Sequence, residues 1–194
     1  WGIAATHWGE HYWLSAGLFA GGSERIHARE NHRGEGYGAT MRAIWRPYNS
    51  DQRTLHVGLS AAIRTPERVS SDEGAVAVGG QSGSTVENRS FIAGTLSGIG
   101  HYSIYDLEAA YRDDRFFLQG EALYTRFVAA PTGGSLSNGL SAQLLAPGAS
   151  ASFWGAYLVG SYMLRGKQRS YSSGGAVFSN VHRTVEPGGN VELM

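Results

Sequence analysis

Strict alternation of apolar and polar residues recurs along this chain and restricts it to β-structure. The clearest stretch, TLHVGLSAAIR, places Leu55, Val57, Leu59, Ala61 and Ile63 on one face and mostly polar or small residues on the other. GYGATMRAIWR repeats the pattern with Ile44 as its one misfit, and WGAYLVGSYML, HYWLSAGLFAG and WGIAATHW are shorter or less regular examples. No stretch of useful length has the apolar stripe of an amphipathic helix, so the pattern predicts an all-β chain.

The stretch YDLEAAYRDDRFFLQGEALY predicts a hairpin that turns at Asp113-Asp114. With that turn, Asp106 lies opposite Glu121 and Glu108 opposite Gln119, so that one face is mostly charged. The other face is aliphatic with aromatic ends. A soluble protein would bury this apolar face, whereas a transmembrane barrel would turn it towards lipid.

The predicted links between strands alternate between short and long. Short links fall near Gly9-Glu10, at 47–52 and at Asp113-Asp114. Long links fall at 21–35, 65–99 and 128–151, and we expect them to be external loops. A meander with short turns at one end and long loops at the other is typical of outer-membrane barrels.

Aromatic residues lie near the ends of the predicted apolar faces. Tyr37 and Trp45 are eight residues apart on one face, as are Trp154 and Tyr162, which corresponds to roughly 20 Å along the membrane normal for tilted strands. This spacing predicts two girdles at the membrane interfaces. We assign to them Tyr37, Trp45, Tyr105, Tyr111, Phe116, Tyr124, Trp154 and Tyr162. The alternative is that these rings form the core of a soluble β-sandwich.

Composition excludes several other classes of protein. The chain of 194 residues has sixteen basic and sixteen acidic residues, so its net charge is zero and a nucleic-acid partner is not expected. It has no cysteine, which excludes disulfides and thiolate metal sites. Neither a P-loop nor an HExxH or G-x-S-x-G motif is present, and we expect no metal, no cofactor and no enzymatic activity. Because the chain lacks an initial Met and a signal sequence, we expect a segment of a longer polypeptide.

Several motifs in the second half occur together in one order. FFLQGEALYTRF is followed, after a long link, by FWGAYLVGSYMLRGKQRSY and then by GGAVFSNVHRTVEPGGNVELM. In this order and spacing the chain resembles the phosphate-selective porin O and P family, most strongly over 101–194. Upstream, SAGLFAGG and the polar stretch after it resemble the middle region of that family. Met163 stands where the family commonly has an aromatic residue.

The resemblance implies a transmembrane antiparallel meander β-barrel of the 16-stranded porin type, usually a homotrimer. This chain would form a single partial barrel of about seven to eight strands over 1–194. Residues 166–189 would be a long periplasmic turn that enters the lumen. The implied function is passive diffusion of small anions, phosphate or polyphosphate, across the outer membrane of a Gram-negative bacterium, with outer-membrane lipid around the barrel.

Arginines suit a phosphate path because the planar guanidinium matches phosphate oxygens and stays charged. The candidates in the loop after the second predicted strand, on the polar faces and in the predicted periplasmic turn are Arg25, Arg29, Arg33, Arg42, Arg64, Arg112, Arg115, Lys167 and Arg169. Arg46 also falls on a polar face. The alternative for all of them is simple charge balance with neighbouring carboxylates.

The polar face also carries the carboxylates Asp106, Glu108 and Glu121, which we expect to contribute to the electrostatics of a lumen wall. Paired carboxylates also occur in hydrolases. An outer-membrane barrel enzyme is therefore an alternative function, and a soluble β-sandwich that binds glycans through its aromatic residues is another.

Overall fold

A computed structural model describes residues 1–20, 36–66, 68–69, 72–73, 76–81, 90–137, 141–181 and 190–194. In chain order its strands are β1 Gly2–Trp8, β2 Tyr12–Ala20, β3 Tyr37–Asn49, β4 Arg53–Arg64, β5 Arg68–Val69, β6 Asp72–Glu73, β7 Val76–Gln81, β8 Ser90–Ser97, β9 Ile99–Asp113, β10 Phe116–Ala129, β11 Gly134–Ser137, β12 Ala142–Leu145, β13 Ser150–Arg165, β14 Tyr171–Ser172, β15 Val177–Phe178 and β16 Val191–Leu193.

The main sheet has eight antiparallel strands in the order β1-β2-β3-β4-β9-β10-β13-β16. Each strand pairs with the main-sheet strand before it along the chain, which is the meander that the alternation predicted. The sheet is open, with β1 and β16 at its edges. The predicted fold class is confirmed as an all-β antiparallel meander consistent with a partial barrel.

Short turns collect at one end of the main sheet. They lie between β1 and β2, between β3 and β4, and between β9 and β10, and Asp114 N donates to Gln52 O across two of them at 3.0 Å. The connections at the other end are longer and form their own strands: β7, β8, β11 and β12 make a second sheet. The predicted loop at 21–35 lies outside the described residues.

The main sheet has an exposed apolar face. It carries the aliphatic side chains of the alternating stretches, among them Leu59, which is 60% exposed, and Leu158, which is 74% exposed. These side chains have solvent-accessible surfaces despite lying in the middle of long strands. Large exposed apolar surfaces mark contacts with lipid or another protein. We call this side the apolar face and the opposite side the polar face.

Aromatic side chains lie towards both ends of the apolar face. At the loop end, Tyr124 is the direct cross-strand neighbour of both Tyr105 and Trp154. Trp154 is 81% exposed. At the turn end, Phe116 pairs with Tyr162. Tyr37, Trp45 and Tyr111 extend these two groups along β3 and β9, and Tyr12 and Tyr48 also belong to the turn-end group.

The hairpin of β9 and β10 has a different register from the predicted one. The turn residues are Asp114, at a φ of 40°, and Arg115, whereas Asp113 remains in β9 opposite Phe116. Asp113 is held there because its Oδ2 accepts hydrogen bonds from Tyr111 at 2.9 Å and from Arg53 of β4 at 3.0 Å. The predicted turn at Asp113-Asp114 was therefore wrong, and the pairing shifts by two residues.

A shift by two residues leaves every side chain on its predicted face but changes its partner. Glu121 lies opposite Glu108, and Asp106 lies opposite Leu123. The predicted Asp106–Glu121 and Glu108–Gln119 cross-strand pairs were wrong for this reason.

The polar face carries apolar clusters as well as charged side chains. At the loop end, Leu96, Ile99, Tyr102 and Phe127 form a buried apolar cluster between the main sheet and the second sheet. At the turn end, Phe117 and Met163 are buried. The long connections fold over both ends and make apolar contacts there, so the carboxylates of this face lie in its middle.

Candidate functional site

The central part of the polar face combines charged and polar side chains from four neighbouring strands. Arg42 comes from β3, His56 and Ser60 from β4, Asp106 and Glu108 from β9, and Glu121 from β10. Their neighbours on the same strands point to the apolar face because side chains alternate along a strand. Alternation on each strand and register between strands together produce this cluster.

Arg42 and Glu108 form the closest ion pair of this cluster. Arg42 Nε donates to Glu108 Oε1 at 2.7 Å and Nη2 donates to Oε2 at 2.9 Å, a bidentate arrangement. Gly58 lies between them on β4 and leaves room for this contact, since a Cβ at Gly58 would lie 2.5 Å from Glu108 Oε1. Glu108 is therefore compensated, and His56 Nε2 lies 3.6 Å from its second oxygen.

Asp106, Glu108 and Glu121 bring carboxylate oxygens within 4.8 Å of one another. Asp106 Oδ2 accepts a hydrogen bond from Ser60 at 3.2 Å. Beside them, Gln119 Nε2 donates to the hydroxyl of Tyr157 at 2.8 Å. Because Arg42 compensates Glu108, this part of the wall carries an excess of negative charge from Asp106 and Glu121.

Residues 168–179 lie across the polar face near the short turns, and we call them the inner segment. Trp13 Nε1 of β2 donates to Gly174 O at 2.9 Å, and Arg42 Nη2 donates to Ala176 O at 3.3 Å. The ring of Phe178 packs edge-on against Phe117 with centroids 5.1 Å apart. The first part of the predicted turn at 166–189 thus lies against the polar face. Residues 182–189 lie outside the described residues.

Tyr171 joins the inner segment to the charged cluster. Its hydroxyl lies 2.9 Å from His56 Nδ1, and its ring packs edge-on against Phe178. Burial raises the pKa of Tyr171, with Arg46 as an opposing influence. The phenol is therefore protonated at neutral pH and can donate its hydrogen bond to His56.

Two arginines on the polar face are buried beneath the inner segment. Arg46 has no exposed surface, and its guanidinium donates to the carbonyls of Gly9, Tyr12 and Ser173. Arg112 is nearly as buried. Arg112 donates to the carbonyls of Ser50, Asp51 and Arg169 and to Thr54 Oγ1. Sequence alternation gave the face of these residues but not their burial.

A β-bulge places Arg46 under the segment. Trp45 lies opposite Val57 but Tyr48 lies opposite Leu55, so β3 contains one extra residue at Arg46–Pro47. Proline is confined to bulges and edges because it cannot donate a hydrogen bond to the neighbouring strand. Ile44, the misfit of the alternation, is buried on the polar face against Gly58.

The remaining predicted cations are spread out. Arg64 lies on the polar face at the loop end of β4, whereas Arg115 is in the turn after β9 and Lys167 is exposed after β13. Arg169 pairs with Glu192 at 3.2 Å and lies over the ring of Phe117. Arg25, Arg29 and Arg33 lie outside the described residues. The structure thus brings Arg42 together with the carboxylates, while Arg64, Arg115 and Lys167 lie at the ends of strands.

Comparison with known proteins identifies a family. The family model described as Phosphate-selective porin O and P matches residues 1–194, the whole chain. Among curated proteins and among solved structures, none matches significantly. In the described part of the chain, no helix has the length and apolar character needed to cross a membrane.

Proposed function

This chain belongs to the phosphate-selective porin O and P family, and on that premise we propose that it lets small anions, such as phosphate or polyphosphate, diffuse passively across the outer membrane. The family is one of porins, and the open meander is consistent with a barrel wall. In this function the apolar face contacts lipid and the polar face lines water. No chemical step and no cofactor are involved.

The observation that carries this proposal is the exposed apolar face between two groups of aromatic residues. A soluble sandwich would cover Leu59 and Leu158 with a second layer, but both are more than half exposed. Tyrosine and tryptophan are favoured at membrane interfaces because they combine an apolar ring with a polar group. We therefore propose that the eight predicted aromatic residues form the two girdles.

Anion passage needs positive charge that binds the solute weakly enough for release. We propose Arg42 and Arg64 as the cations of the described wall that attract anions. Arg115, Lys167 and Arg169, at the turn end, are further candidates. Arg25, Arg29 and Arg33, which lie outside the described residues, are candidates from the sequence alone. Arg112 is not included among them, because its side chain is buried beneath the inner segment, whereas the side chain of Arg42 stays partly exposed although it pairs with Glu108.

The carboxylates act in the opposite direction. Asp106 and Glu121 repel anions at mid-height of the wall, and we propose that they moderate the preference for anions and keep the solute from binding too tightly. The family assignment favours this electrostatic role over hydrolysis. For the protein in the outer membrane we further propose a homotrimer surrounded by lipid.

Neutralising Arg64 should reduce the preference for anions. In water a unit charge about 7 Å from the ion path changes the free energy of a monovalent ion by about 0.6 kcal/mol, and screening at about 0.1 M salt roughly halves this value. Because anions and cations shift in opposite directions, Arg64→Ala should lower the anion-to-cation permeability ratio about two- to threefold. The measurement is the reversal potential under a KCl gradient in planar bilayers, with protein purified from outer membranes.

Arg126→Ala is the matched control, because Arg126 lies on β10 at the same end of the sheet but its exposed side chain belongs to the apolar face. It removes the same charge from outside the proposed lumen and should leave the reversal potential unchanged. Equal shifts in both variants would show that the polar face does not line the ion path. A preference for cations in the parent protein that persists in Asp106→Asn/Glu121→Gln would rule out phosphate as the solute.

A further inference from the structure

The inner segment is attached to the polar face through four backbone carbonyls that accept hydrogen bonds from side chains of the main sheet. Trp13 and Arg42 supply two of these bonds, and the buried Arg46 and Arg112 supply the other two. Arg46 Nη1 donates to Ser173 O at 2.8 Å, and its Nη2 donates to Gly9 O and Tyr12 O in the first hairpin. One guanidinium therefore joins the inner segment to the β1-β2 hairpin. The Arg46 side chain also lies over the ring of Tyr171, 5.6 Å from its centroid.

Arg112 makes the same kind of connection at another position. Its Nη1 donates to Arg169 O at 2.9 Å, and its Nη2 donates to Ser50 O and Asp51 O in the turn between β3 and β4. A buried cation is costly unless its donors are satisfied. Each arginine therefore has its guanidinium anchored on the main sheet and its turns, and gives one further hydrogen bond to the inner segment that covers it.

We propose that Arg46 and Arg112 are positioning residues that hold the inner segment against the wall and so fix the width of the channel at the turn end. This inference rests on the proposed function. The two residues are not part of the anion path, because their guanidinium groups are covered by the inner segment and directed at protein oxygens. Lysine cannot replace them, because a single ammonium group lacks the planar fork that reaches several elements at once.

Weaker contacts determine what happens when one arginine is lost. Tyr171 hydrogen-bonds to His56, Phe178 packs against Phe117, and Asn49 Nδ2 donates to Ser173 Oγ at 3.3 Å. These contacts keep the inner segment near the polar face, but the carbonyls of Gly9 and Ser173 lose the hydrogen bond that Arg46 gives them. In an Arg46→Ala protein the inner segment should therefore become more mobile but remain inside the pore.

The electrical test compares Arg46→Ala and Arg112→Ala with Arg126→Ala in single-channel recordings of protein purified from outer membranes. Arg126 is the control, because its exposed side chain lies on the apolar face at the other end of the sheet, so that the change removes one arginine charge away from the inner segment. We expect larger and noisier conductance in the first two variants, with an unchanged reversal potential. A reversal potential that shifts as far as in Arg64→Ala would place the guanidinium in the ion path and overturn the proposal.

A cross-link tests the position of the segment without any ion flow. The chain has no cysteine, so Asn49→Cys with Ser173→Cys introduces one pair at a site where the parent side chains are in contact. In the double-cysteine protein with Arg46 we expect fast oxidation. In Arg46→Ala we expect loss of most of the cross-link formed in the same short oxidation time, because the moving segment brings the two thiols together less often, and quiet conductance again in those channels of the variant that have cross-linked.

An unchanged cross-link yield and unchanged conductance in Arg46→Ala would overturn the positioning role. If the expected loss of cross-link occurs in a protein that conducts no ions, the positioning role stands and the proposed function fails. If Arg46→Ala does not fold, Arg46→Lys can be measured in its place, because it keeps the positive charge. The Arg46→Lys protein should form less of the cross-link, and a cross-link yield equal to that of the protein with Arg46 would count against the proposal.

Discussion

Replacing Leu59 by arginine should destabilise the membrane-inserted protein by about 2–4 kcal/mol, the cost of a cation at mid-bilayer on the lipid face of a barrel. Leu59 lies in the middle of β4 and its side chain is 60% exposed on the apolar face. The guanidinium would have to leave water for hydrocarbon without a partner. Urea titration of the protein in lipid vesicles, followed by tryptophan fluorescence, would measure the difference in the free energy of unfolding.

The control is Ala62→Arg, three residues further along the same strand and on the opposite face. An arginine there faces the proposed lumen, so its cost should be within about 1 kcal/mol of zero, as for a solvated position. Equal costs at the two positions would show that the sheet does not separate lipid from water. A Leu59→Arg protein that is soluble and monodisperse without detergent would instead favour the β-sandwich alternative.

The faces of the strands could be predicted because alternation is a local property of each strand. The alternating apolar residues from Leu55 to Ile63, and those from Tyr37 to Trp45, all lie on the apolar face, as the sequence pattern predicted. Even the shifted β9-β10 hairpin keeps its faces, since the shift is by two residues. Local sequence therefore determined which side chains share a surface.

Partners across strands could not be predicted in the same way. Asp113 stays in β9 because of Arg53, which belongs to a different strand 60 residues away. The turn residues alone favoured a two-residue turn at Asp113-Asp114, one residue earlier than the observed turn, and the long-range contact outweighed that preference. The pairing of Glu108 with Glu121 follows from this contact.

The roles of the buried arginines were also hidden in the sequence. Arg46 donates to the backbone carbonyls of Gly9 and Ser173. Because every residue has a backbone carbonyl, the sequence does not indicate which residues accept these hydrogen bonds. The one local signal is Pro47, which indicates a bulge directly after Arg46 in an otherwise regular strand. A bulge re-aims the side chains around it, but the sequence does not show what they then contact.

Removing the two uncompensated carboxylates should change ion selectivity more than any single arginine substitution. Asp106→Asn with Glu121→Gln preserves the size of both side chains and removes two negative charges from the wall. In water each charge contributes about 0.8 kcal/mol at about 5 Å from a passing ion. Salt screening reduces this effect, so the anion-to-cation permeability ratio should rise severalfold at physiological ionic strength.

The best comparison is Glu108→Gln, because Glu108 is already paired with Arg42 in a bidentate contact. This change removes a single charge and also frees Arg42 to face the solute. Its permeability ratio should therefore rise as well, and Arg42→Ala added to it should reverse most of the gain.

If the Asp106→Asn/Glu121→Gln protein keeps its selectivity but loses a measurable hydrolytic activity of the parent, the cluster is an enzyme site. If instead the anion-to-cation permeability ratio rises and the conductance is retained, the two carboxylates must face the permeating ions. A side-chain charge changes the electrostatic potential in a water-filled path this strongly only from a position beside that path.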